Sequence, residues 1–200
     1  MTTKSLRKLT VDDIADIRAY ERERVAFRQH IIDLKRRRRV PVGPHITFVF
    51  ENRDTIRFQI QEMARVEKLY SDEQIQTELR IYNPLIPEPG HLAATMFIEL
   101  TSEPLLREWL PKLVNVERHV TLRLGTDEVR FVLDAQHETQ LTRDDITSAV
   151  HYLHLSLDGA QIRQFGAGPV ALVIDHPDYR FETSLAPGTI AELLGDLRED

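Results

Sequence analysis

Apolar positions follow two different rhythms along this chain. From Val11 toward Arg37, Ile14, Ile17, Val25, Ile31, Ile32 and Leu34 recur at helical spacing. "YERERVAFRQH" interrupts that side, so the stretch fits one long helix or two. Thr10 with Asp13 resembles a capping box at its start, and "VPVGP" (40–44) stops it with two prolines and a glycine. The rhythm then changes. "HITFVFEN" (45–52) is short and rich in β-branched and aromatic residues, which predicts a strand.

Helices follow at about 55–70, capped by Asp54 or Thr55, and from Ser71. "NPLIPEPG" (83–90) is an irregular connection. "LAATMFIEL" (92–100) predicts a buried strand, and "SEPLLREWLPKLV" (102–114) a helix with proline in its first turn. "HVTLRL" (119–124) and "VRFVLD" (129–134) flank "GTDE" as a hairpin, and "AVHYLHLSL" (149–157) is a further strand. "DGAQIRQF" (158–165) predicts a short helix capped by Asp158 and closed at Gly166. "PVALVID" (169–175) and "RFETSL" (180–185) are strands around an "HPDY" turn, and "PGTIAELLGDL" (187–197) is a helix. The pattern predicts a single α+β domain over 1–200, with a helical arm at 10–40 and a mixed, largely antiparallel sheet with helices at 45–197.

Composition narrows the chemistry. With no cysteine, disulfides, thiolate zinc and cysteine-ligated iron–sulfur clusters are excluded within the chain. No run approaches the ~18 apolar residues of a membrane span and no signal peptide is visible, so a cytoplasmic protein is expected. The net charge of −6 argues against general nucleic-acid binding. "KRRRR" (35–39) is the local exception. Cations there complement a helix C-terminus, while the alternative makes Arg36 to Arg39 a patch for phosphate or an anionic partner.

Candidate chemistry begins in "TIRFQIQEM" (55–63). On a helical wheel Ile56, Ile60, Met63, Val66 and Leu69 share one arc, and Gln59 and Glu62 fall inside it. Arg57, Gln61 and Lys68 lie opposite. A buried carboxylate needs a partner, so Glu62 pairs with an arginine (Arg53, Arg24 or Arg28) or belongs to a polar site. His151 and His154 lie three apart in a strand and face opposite ways, His151 toward the core. Asp175 and His176 sit at a strand end, either as turn residues or as an acid–base pair at a cleft. Glu99 is the only charge in its run. Glu62, Glu99, His151 and His176 have the ligand chemistry of an iron or manganese site, although nothing in their spacing shows convergence. Walker, Gly-x-Gly-x-x-Gly, Gly-x-Ser-x-Gly and His-Glu-x-x-His signatures are absent.

The strings "GPHITFVFENRDTIRFQIQEMARVE", "YNPLIP", "ATMFIEL", "SAVHYLHLSL" and "VIDHPDY" resemble the bacterial domain-of-unknown-function family 3501, from about Leu9 to Leu194. The resemblance implies no assigned activity. It implies a redox or oxidative-stress setting, because members are often encoded beside rubrerythrin-like proteins and iron–sulfur oxidoreductase subunits. Three functions are therefore weighed. One is an accessory protein that binds such a redox partner. Another is a metal-dependent or small-molecule enzyme in which Glu62 works with His151 or His176, with Arg57, Gln59 and Asp175 as further binding residues. Nucleic-acid binding through Arg36 to Arg39 ranks last. The long N-terminal helix also makes a homodimer an expectation.

Overall fold

The chain is described by a computed structural model over residues 7–134 and 146–198. Six helices and nine strands are built from these residues. Helix α1 (Ile17–Arg38) runs straight into strand β1 (Arg39–Val42). Strand β2 (Ile46–Phe50), helices α2 (Arg53–Glu67) and α3 (Asp72–Tyr82), strand β3 (His91–Ile98) and helix α4 (Glu103–Lys112) follow. Then come β4 (Val120–Leu124), β5 (Asp127–Arg130), β6 (Val132–Leu133) and β7 (Val150–Ser156). Helix α5 (Gly159–Ala167), strands β8 (Val170–His176) and β9 (Tyr179–Ser184), and helix α6 (Pro187–Leu197) complete the order.

The α+β class stands, but the strands form two sheets rather than one. Their orders are β1-β2-β3-β7-β6 and β5-β4-β8-β9, and every pairing among the described residues is antiparallel. The sheets are joined where a single expected strand divides. Arg130 still pairs with Thr121 of β4, whereas Val132 pairs with His154 of β7. Buried Phe131 lies at the switch. Between the sheets sits the larger core, with Phe48, Phe50, Met96 and Leu153 from one and Leu122, Leu172 and Ile174 from the other.

A second apolar cluster is built by α2 and α3, from Ile56, Ile60, Ala64, Ile75 and Leu79, with Tyr152 of β7 packed on it. Hence all five residues of β2 are buried. "VPVGP" does not simply end a helix. It carries β1, an edge strand in which Pro41 is tolerated because the outer side needs no ladder bond.

Several caps differ by a residue or two from expectation. Asn52, not Asp54 or Thr55, caps α2, and Thr55 bonds back to its backbone. The helix ends at Glu67, where Lys68 takes a left-handed conformation. Asp158 caps α5 as expected, but the helix closes at Gly168 rather than Gly166. The arm is not helical from Val11. A single 3-10 turn (Val11–Asp13) under the Thr10–Asp13 box precedes α1, whose own cap is Asp16.

Candidate functional site

Glu62 lies where α2 meets α1, and its partner is an arginine. Its carboxylate accepts from Arg24 Nε at 2.7 Å and Nη2 at 3.0 Å, from the Tyr20 hydroxyl at 2.7 Å and from Arg65 at 3.3 Å. The Arg24 bonds, helped by those of Tyr20 and Arg65, hold the carboxyl down to about 2. Burial, with the bond to Glu62, pushes the buried Tyr20 phenol up. The arrangement joins two helices and leaves Glu62 no lone pair aimed at a ligand. Replacing Glu62 with Gln is expected to cost about 1–2 kcal/mol at neutral pH. The folded carboxyl titrates below its ordinary value, so this contribution is whole above about pH 4.5 and drains away as pH falls toward 2. Urea titrations of both proteins across that range should converge at the acid end.

Other residues of the same helix are similarly engaged. Arg57 donates to the Asp13 carbonyl at 2.8 Å and to Glu23 at 2.8 Å, over the Phe27 ring. Gln59 hydrogen-bonds Tyr152, whose phenol burial pushes up. Gln61 corrects the wheel. Placed on the solvent side by periodicity, it is buried and clamps Ala15, accepting from its N–H at 2.7 Å and donating to its carbonyl at 3.1 Å. The segment before α1 covers that side of α2, while Val66, placed on the apolar arc, is exposed.

His151 faces the inter-sheet core as predicted. Its Nε2 lies 2.9 Å from both the Thr147 hydroxyl and the Ser148 carbonyl. Burial pulls its pKa below the ordinary value, against the opposing field of Glu117. The ring should therefore stay neutral as pH falls through 6.5, and stability should be lost below that point as the ring is forced to charge. An NMR titration of the ring should give a midpoint under 6.5; one at or above it would contradict the burial argument.

His176 is also buried, whereas its neighbour Asp175 points to solvent and meets Arg180 at 3.2 Å. The Asp178 N–H donates to His176 Nδ1, so Nε2 carries the proton and donates to the Val114 carbonyl at 3.1 Å. Adjacent strand residues take opposite faces, so the two do not act as a pair. Glu99 is tied to Arg39 and, at 2.8 Å, to Thr47. Among the described residues no three His, Asp or Glu side chains are grouped to hold a metal ion. Glu62, Glu99, His151 and His176 therefore do not converge.

The arginines of the basic run are likewise occupied. Arg36 pairs with Asp33, Arg37 with Glu192 and Arg39 with Glu99. Arg38 is fully buried and holds both Glu192 and Asp196 of α6. Lys35 to Arg38 do lie in the last turn of α1, as the dipole reading expects, and Arg38 adds a specific clasp between α1 and α6.

A polar row that sequence reasoning missed crosses the helix-facing side of the five-stranded sheet. The Thr95 hydroxyl donates to buried Glu51 at 2.6 Å, and the other Glu51 oxygen is buried with no partner among the described residues. Two strands away His154 meets Asp134 at 2.9 Å. Ala93, which pairs with His154 and accepts the Glu51 N–H, separates them. A visible signal existed: both carboxylates directly follow an apolar strand, at Phe50-Glu51 and Leu133-Asp134.

A charged concavity lies elsewhere, on the open face of the four-stranded sheet. It is a groove of about 430 Å³ lined by His119, Arg123, Arg130, Asp175 and Arg180 among others. Its charges are mostly paired, Arg123 with both Glu128 and Glu182.

Residues 8–197 match the family described as protein of unknown function DUF3501. A crystal structure of a novel protein of unknown function from Burkholderia pseudomallei K96243 is similar throughout, at 36% identity and a TM-score of 0.88. The match covers 96% of this chain and 100% of that one. No curated protein matches the chain.

Proposed function

Starting from a chain that belongs to the DUF3501 family, we propose that it is a cytoplasmic accessory protein that acts by binding a redox partner. The observation that supports this most is the internal engagement of the expected reactive groups. Glu62, Glu99, His151 and His176 each bond to neighbours in the fold rather than to one another. The cysteine-free chain has no thiolate with which to hold a cluster, so any iron–sulfur chemistry would belong to the partner. The redox setting itself is the one that the family resemblance implies, with a rubrerythrin-like or iron–sulfur oxidoreductase protein as the partner. No described helix is long and apolar enough to cross a membrane.

Affinity purification from the encoding organism under anaerobic conditions tests the proposal. A rubrerythrin-like or iron–sulfur protein should be recovered in repeated preparations, with under about 0.1 equivalent of metal in the isolated chain. Consistent recovery of no redox protein, or stoichiometric metal in the chain, would overturn it.

A second reading rests on a different observation, the Asp134–His154 pair on the sheet face that also carries buried Glu51, two strands away. A carboxylate-oriented imidazole is the usual arrangement of a general base. This reading moves the small-molecule enzyme from Glu62 to another face of the sheet. It predicts that a ligand raises the melting temperature of the parent but not of a His154→Asn variant.

A further inference from the structure

We infer that the outward face of α1 is a docking surface for an acidic, amphipathic helical segment of a partner protein. This rests on the accessory reading above and adds the surface and the chemistry of the partner.

Helix α1 buries Tyr20, Ile31, Leu34 and Arg38 on one side. At 100° per residue the opposite side carries Arg18, Arg22, Val25, Gln29 and Ile32, with Arg28 on its flank. All six are exposed, Val25 by 80% and Ile32 by 40%. The two aliphatic side chains are seven residues apart, hence in line and about 10 Å apart along the axis. Singly exposed aliphatics are ordinary, but these two share one stripe within a helix that is otherwise very polar.

Charge sets the arginines of this stretch apart from the other arginines of the helix. Arg24, Arg36, Arg37 and Arg38 are each held by an internal carboxylate. Among the described residues Arg18, Arg22 and Arg28 have none. The nearby acids are committed elsewhere, Glu21 leaning toward Arg65 and Asp33 bonding Arg36 and Gln29. A protein of net charge −6 thus presents a cationic stripe around two aliphatic side chains.

The complement is a helix with two apolar residues two turns apart, flanked by Asp or Glu. A second copy would set arginine against arginine. A phosphate backbone would leave Val25 and Ile32 uncovered, which disfavours nucleic acid.

The test places a photo-crosslinking amino acid at Val25 of the full chain in the encoding organism, with Leu106, exposed on α4, as the control position. The expected adduct joins Val25 to one protein, within an acidic helical segment identified by mass spectrometry. Charge reversal at Arg18, Arg22 and Arg28 to Glu should cut its yield about tenfold while the melting temperature is kept. An adduct with a second copy, with RNA or with lipid would overturn the inference. So would a yield no higher than at Leu106, or one that survives charge reversal. If affinity purification still recovers a redox protein after such a result, the surface is wrong and the accessory reading stands; if it recovers none, that reading fails as well.

Discussion

Replacing Arg38 with Met is expected to lower the unfolding free energy by about 3–5 kcal/mol, the range for breaking a buried ion pair from one side. The Arg38 guanidinium donates from Nε and Nη2 to Glu192 at 3.1 and 2.9 Å, and from Nη1 and Nη2 to Asp196 at 2.7 and 3.0 Å. Burial works against its charge, but the two carboxylates outweigh burial and raise its pKa. Met fills most of the volume and removes every donor, leaving Glu192 and Asp196 facing each other. The melting temperature should fall by about 6–20 °C at the usual sensitivity of a domain this size. Arg36, exposed and paired with the exposed Asp33, provides the contrast, and its Ala variant should stay within about 0.5 kcal/mol of the parent. Equal melting points for the two variants would refute the clasp.

Gly43→Ala is expected to have a comparable effect through backbone and packing. Gly43 has φ +71, where a Cβ is strained, and that Cβ would lie 2.6 Å from both the Phe181 ring and the Tyr179 hydroxyl. The Tyr179 hydroxyl joins the two sheets. It accepts from the His45 and Ile46 N–H groups at 2.9 and 3.1 Å and donates to the Val42 carbonyl at 2.8 Å. Displacing it strands three backbone groups, two of them in bonds that are buried, at about 1–3 kcal/mol each when unsatisfied. The expected loss is about 3–5 kcal/mol, read as a lower urea midpoint at unchanged slope. Tyr179→Phe should lose about 2–4 kcal/mol. Because both changes disable the same junction, the double variant should lose much less than their sum.

Much of this fold was legible because local periodicity and caps decide it. Ser71, Ser102 and Asp158 mark helix starts in the sequence and do so in the structure, whereas Thr10 starts only the 3-10 turn before α1. Glu62 was legible in part: a carboxylate on an apolar arc needed a partner, either one of three arginines or a polar site, and Arg24 of the preceding helix supplies it. What stayed hidden depends on distant chain. Nothing in "VRFVLD" marks Phe131 as the point where a strand leaves one sheet for the other, since both sheets demand the same alternation. Gln61 was misplaced because helical period assumes one covered face, and α2 has two. Arg38 looked like its neighbours, since only the position of α6 singles it out. The polar row of Glu51, Thr95 and His154 needed strand register, which no local pattern encodes.

The clasp at Arg38 also imposes an order on synthesis. Its carboxylate partners come 154 and 158 residues later in the chain. A nascent chain that has made α1, β1 and even the whole five-stranded sheet still carries an uncompensated guanidinium where α6 will lie. That half of the molecule can gather its apolar residues early, but it cannot close until Glu192 and Asp196 have left the ribosome.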